Sequence, residues 1–214
     1  MVTLLSTGLT LRKRLVVNMN DELSLLASDS DTAPDVLETL STDTDRYVRF
    51  AVATNRNTPV HVLVALAADS NSYLRYYVAQ NPSTPVDVLV KLSTDCQYWV
   101  RWNVASNLRT PVDVLRTLAT DDNDDVRYYV SKNPNVPVDV LVALAGDDNS
   151  DIRQNVADNC DTPDEVLRKL ATDKMCHVRY YVAMNDNTPN DVLTTLATDS
   201  NSWVRRAVAE RGGQ

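Results

Sequence analysis

Glycine is scarce, with 4 in 214 residues, and this excludes a collagenous chain. Cysteine is limited to Cys96, Cys160 and Cys176, neither an even set nor a C-x-x-C pair, so neither a disulfide framework nor a zinc knuckle is indicated. The two histidines, His61 and His177, stand alone and suggest neither a metal site nor a general base. No run approaches the ~18 consecutive apolar residues of a membrane span. The phosphate-loop, G-x-S-x-G and H-E-x-x-H patterns are missing as well. Basic residues are in deficit: Lys and Arg number 21 against 29 Asp and Glu, a net charge of −8. Such a surface repels phosphate and anionic lipid on average. What is present is 43% hydrophobic content, ample for a core and unlike a disordered chain. Near the start, the basic cluster Arg12, Lys13 and Arg14 follows the apolar part, the reverse of a secretory signal. Together with the cysteines this predicts a cytoplasmic protein.

The organising feature is a period. Asp43, Asp69, Asp95, Asp121, Asp147, Asp173 and Asp199 are each 26 residues apart, and so are Arg49, Arg75, Arg101, Arg127, Arg153, Arg179 and Arg205. Leu37, Leu63, Leu89, Leu115, Leu141, Leu167 and Leu193 keep the same step, as do Asn55, Asn81, Asn107, Asn133, Asn159 and Asn185. In the first copy Ala33-Pro34 replaces Thr-Pro, and the proline falls one place late. Seven copies therefore occupy residues 32–214, and residues 1–31 form an extension and a worn half-repeat. The half-repeat is Asp21 to Asp29, because Leu26-Ala27-Ser28-Asp29 aligns one period before Val52-Ala53-Thr54-Asn55. Residues 1–17 match no part of the unit, and are read as either a capping helix or an extension.

Within a unit, Thr84, Pro85 and Asp87 predict a capped helix start, and Val88, Leu89 and Leu92 form one apolar stripe. A second short helix follows, carrying Val100, Val104 and Ala105, with Asn107 as a C-cap that tolerates the left-handed conformation. Neither helix is long enough to stand alone, so the unit persists by stacking on its copies. The leucines sit at V-L-x-x-L spacing, which is helical; the strand signature of leucine-rich repeats is missing. The run L-R-Y-Y-V-A-Q-N-P-S-T-P-V-D-V-L-V-K-L from Leu74 resembles the leucine-rich repeat variant family and, more loosely, HEAT-like solenoids. That resemblance implies an all-α, right-handed α-solenoid, an α/α superhelix of paired short helices. In one family member an N-terminal four-cysteine domain holds an iron–sulfur cluster. The first cysteine here is Cys96, so no such cofactor is carried over. Enzymes of HEAT-like architecture share only the general fold, and a non-enzymatic scaffold is expected.

The repeated Asp and Arg could form a ladder for phosphates, but they read better as a structural ladder. Asp can accept from backbone N–H groups of the inter-helix turn, and Arg can pair with it. The aromatics are different, because stacking does not require them in every copy. Turning about 100° per residue from the Val or Leu before each Arg, the third position lies near 200°, away from the core. It reads Phe50, Tyr76, Trp102, Tyr128, Gln154, Tyr180 and Arg206, and exposure is predicted for it. The position before the stripe, near 260°, reads Tyr47, Tyr73, Trp99, Asp125, Asp151, His177 and Trp203. Two readings of these rings stand: a binding face for a protein or peptide partner, or packing against the neighbouring second helix. A nucleic-acid partner, using ladder and rings together, is the alternative that the net charge disfavours, and no membrane partner is expected.

Overall fold

A computed structural model describes residues 19–211, and every regular element among them is a helix. Residues 1–17, read above as cap or extension, lie outside the described residues. The chain divides into two compact units, Met1–Pro85 and Val86–Gln214. The first contains α1 (Met19–Ser28), α2 (Pro34–Leu40), α3 (Arg46–Thr54), α4 (Val60–Leu66) and α5 (Ser72–Gln80). The second contains α6 (Val86–Leu92), α7 (Tyr98–Ser106), α8 (Val112–Leu118), α9 (Asp124–Lys132) and α10 (Val138–Leu144). It continues with α11 (Ser150–Asp158), α12 (Asp164–Leu170), α13 (Cys176–Met184), α14 (Asn190–Leu196) and α15 (Ser202–Arg211). Each first helix thus has 7 residues, and each second helix from α3 to α13 has 9.

Stacking runs through the second helices. In the first unit α1 packs on α3 and α3 on α5. In the second unit α7, α9, α11, α13 and α15 follow one another in the same way. The apolar stripe is wholly buried in the first six copies, as Val48 and Val52, Val126 and Val130, or Ile152 and Val156, while Val208 in the last is half-buried. Leu37, Leu63, Leu89, Leu115, Leu141 and Leu167 of the first helices are also wholly buried, each worth about 1.5–3 kcal/mol. Leu193, in the final copy, is only half-buried.

Two details of the turns depart from the sequence reading. Proline, not threonine, is the N-cap of the first helices α4, α8, α10, α12 and α14, and it offers no side-chain acceptor. The threonine before it faces the preceding helix: Thr84 Oγ1 donates to the Val78 carbonyl, Thr58 to Val52, and Thr188 to Val182. It closes the end of a second helix and leaves the first helix uncapped. In the first copy the late proline, Pro34, is the first helical residue, with Ala33 at the cap. The asparagines, moreover, are extended (Asn55 at φ −70°, ψ 130°), and no non-glycine residue has positive φ among the described residues. No left-handed turn is needed, because each side chain closes the bend. Asn133 Oδ1 accepts from Asn135 N (2.9 Å), while its Nδ2 donates to the carbonyls of Ala105 (2.7 Å) and Asn107 (3.2 Å) one repeat earlier.

That amide is a joint between copies. Asn55 reaches the carbonyls of Ala27 and Asp29, Asn81 those of Ala53 and Asn55, and Asn185 those of Ala157 and Asn159. At the last copy Arg211 stands one period after Asn185 and donates to the carbonyls of Ala183, Asn185 and Asp186. These carbonyls end helices, where no intrahelical donor remains for them.

Candidate binding face

The arginines are held inside the fold by two sets of bonds. Arg101 donates to the carbonyl of Asp95 in its own copy (2.8 Å) and, through Nε and Nη2, to both carboxylate oxygens of Asp121 in the next (2.6 and 2.8 Å). Arg127 pairs in this way with Asp147, Arg153 with Asp173, and Arg179 with Asp199. In the first unit Arg49 lies 3.7 Å from Asp69. The same aspartates accept from the turn, as Asp121 does from Asn123 N and Asp199 from Asn201 N. The Arg179 hydrogen bond holds the Asp199 carboxyl below its ordinary range. Burial pushes the Asp121 carboxyl up, but the bonds from Arg101 and Asn123 outweigh it and the net direction is down. The partner guanidiniums are pushed up, chiefly by the carboxylate bonds.

On the outer arc of the second helices, Tyr47, Tyr73 and Trp203 are exposed at 58%, 60% and 65%. Trp99, at the same phase, is half-buried. Phe50, Tyr76, Trp102, Tyr128 and Tyr180 are also half-buried, short of the exposure predicted for them. For Phe50 and Trp102 the cause is a ring at the following position of the next second helix. Phe50 lies 5.1 Å from Tyr77, and Trp102 lies 5.7 Å from Tyr129, centroid to centroid. Successive rings also meet edge to face, as in Tyr76–Tyr77, Tyr128–Tyr129 and Tyr180–Tyr181. Second helices are spaced by roughly 10 Å, so one ring from each side spans the gap. The sequence angle placed the rings outward, but it took no account of this reach between neighbours.

Helix α11 interrupts the rings with Asp151, Gln154 and Asn155, and Asn155 Nδ2 donates to Ser131 Oγ (2.9 Å). Beyond it, Cys176, His177, Tyr180, Asn201 and Trp203 wall an open groove of about 260 Å³. His177 Nε2 lies 3.9 Å from Asp151, and His61 Nε2 lies 3.1 Å from Glu38. Cys96, Cys160 and Cys176 are free and exposed. No group of three metal-ligating side chains gathers among the described residues, and no helix there is long and apolar enough to cross a membrane.

A tandem array of short helix pairs, joined copy to copy by side-chain bonds, is an α-solenoid, a class of scaffold whose extended surfaces serve binding. Residues 46–71 match the family described as leucine rich repeat variant. Among solved structures, a leucine-rich repeat variant with a novel repetitive structural motif is 29% identical, with a TM-score of 0.67 over 83% of this chain and 71% of that one. The resemblance to the family therefore holds in sequence at one unit and in fold across most of the chain. Two crystal structures of engineered proteins, each 21% identical over 88% of this chain, cover 71% and 94% of their own chains at TM-scores of 0.45 and 0.39. No curated protein matches the sequence.

Proposed function

We propose that the chain is a non-catalytic cytoplasmic scaffold that binds a protein partner along the ring-bearing face of its second helices. The observation that carries this reading is α11. It stacks between α9 and α13 with Gln154 and Asn155 where both neighbours carry Tyr-Tyr, so the stack does not need rings at those positions. Rings that one copy does without, with Tyr47, Tyr73 and Trp203 mostly in solvent, offer contact area at little entropic cost. The paired arginines weigh against a nucleic-acid partner, since phosphate would have to displace buried carboxylates from Arg101, Arg127, Arg153 and Arg179. Free exposed thiols suit a reducing compartment.

The test is affinity capture from a native extract with the wild type beside a Tyr47→Ala/Tyr73→Ala/Trp203→Ala variant. A folded variant that recovers the same partners in the same amounts would overturn the proposal.

A further inference from the structure

We infer that the second unit recognises an extended peptide segment carrying one bulky apolar side chain and, about four to five residues away, a lysine or arginine. The inference rests on the reading of the ring-bearing face as a binding face, and it assigns the chemistry of what binds there.

The apolar half of the motif is read from the groove between α13 and α15. Its walls are Tyr180 and Trp203 with Cys176, His177 and Asn201, and its volume of about 260 Å³ is below that of a site for a whole small molecule. One large apolar side chain suits it. Trp203, mostly exposed, would be covered by such an occupant.

The cationic half is read from α11. Its outer arc carries Asp151, with a side chain 67% exposed, and Asp158, also exposed, with the neutral Gln154 and Asn155 between them. The one basic residue of that helix, Arg153, is buried and bound to Asp173. Asp151 and Asp158 are seven positions apart on one face, about 10 Å along the helix, so a single cation can lie between them. On α9 the Tyr128 ring already takes an ammonium group, that of Lys132, at 5.4 Å. Arg206 and Glu210 of α15 satisfy each other at 2.6 Å, which leaves α11 as the net anionic step of this face. An acidic segment would meet the exposed carboxylates of Asp151 and Asp158 there.

The spacing follows from the stack. From α11 to the gap between α13 and α15 is one and a half helix spacings, about 15 Å. An extended chain covers that in four to five residues at about 3.3 Å each.

The full chain is immobilised and panned against a phage-displayed library of random linear twelve-residue peptides. The expected clones pair Leu, Phe or Trp with Lys or Arg at the stated spacing. A synthetic peptide of the leading sequence should bind about three- to tenfold more weakly to an Asp151→Asn/Asp158→Asn variant. An Asp151→Lys/Asp158→Lys variant should select acidic residues in place of the basic one. Circular dichroism confirms that both variants fold, as two exposed positions lead one to expect. Enriched clones without a basic residue, or an affinity unchanged in both variants, would overturn this inference and leave the proposed function standing. No enrichment over bare support, or binding indifferent to Trp203→Ala and Tyr180→Ala, would overturn the binding face itself and this inference with it.

Discussion

Replacing Asn133 by alanine removes three hydrogen bonds from the joint between two copies in the second unit. Asn133 is 2% exposed; its amide serves the carbonyls of Ala105 and Asn107, and its oxygen serves Asn135 N. Each bond contributes about 1 kcal/mol net, and the Ala105 carbonyl, at the end of a buried helix, is left without this donor, so the loss should be roughly 3–5 kcal/mol. Asn135→Ala is the control. Its Nδ2 bonds the Leu108 carbonyl at 2.8 Å in an exposed position and should cost under about 1 kcal/mol. Asn133→Asp sharpens the test, because it keeps the acceptor but aims a carboxylate at two carbonyl oxygens. Such an acid has a folded pKa raised above its unfolded value, so its deficit is smallest below about pH 4 and grows as pH rises through the folded pKa. Urea unfolding followed by circular dichroism and tryptophan fluorescence gives all three values. If Asn133→Ala falls within about 1 kcal/mol of wild type, or Asn133→Asp shows no pH dependence beyond that of wild type, the joint does not work as described.

Acid should loosen the stack, because Asp121, Asp147, Asp173 and Asp199 have carboxyls held below their ordinary pKa. Their contribution is complete above about pH 4 and is lost as pH falls through the lowered folded values, so the urea midpoint should drop there and drop less in Asp199→Asn. Thr110→Val removes the bond to the Val104 carbonyl and should cost about 1–2 kcal/mol in thermal unfolding, whereas Thr110→Ser should restore most of it. Tyr129→Ala, which removes the ring against Trp102, should cost about 1–3 kcal/mol in thermal unfolding. Oligonucleotide titrations near physiological salt should show no binding; measurable affinity that weakens with added salt would revive the phosphate reading.

The repeat length, the helix pairs and the buried stripe were legible because each rests on residues that recur in phase, and periodicity survives any local ambiguity. The role of threonine was not. A Thr-Pro pair reads as a cap from local spacing, and only the fold shows Thr84 turned back to Val78. The asparagine joint escaped because its partners lie a whole repeat away. A constant 26-residue step beside a helix end was the signal that could have exposed it. The partial burial of Phe50 and Trp102 was hidden likewise, since a single-helix angle carries no information about the ring on the next helix.

The asparagine joint also bears on how such a chain can change. It grips main-chain oxygens, which every residue presents alike, so it is indifferent to the side chains of the copy beneath it. Arg211 reaches the same kind of acceptor in the last copy, and so even the gripping residue can be exchanged. As far as this joint goes, a repeat can be added, removed or moved as a block without altering its neighbours, while the outward positions, bound by no such joint, are left to diverge copy by copy.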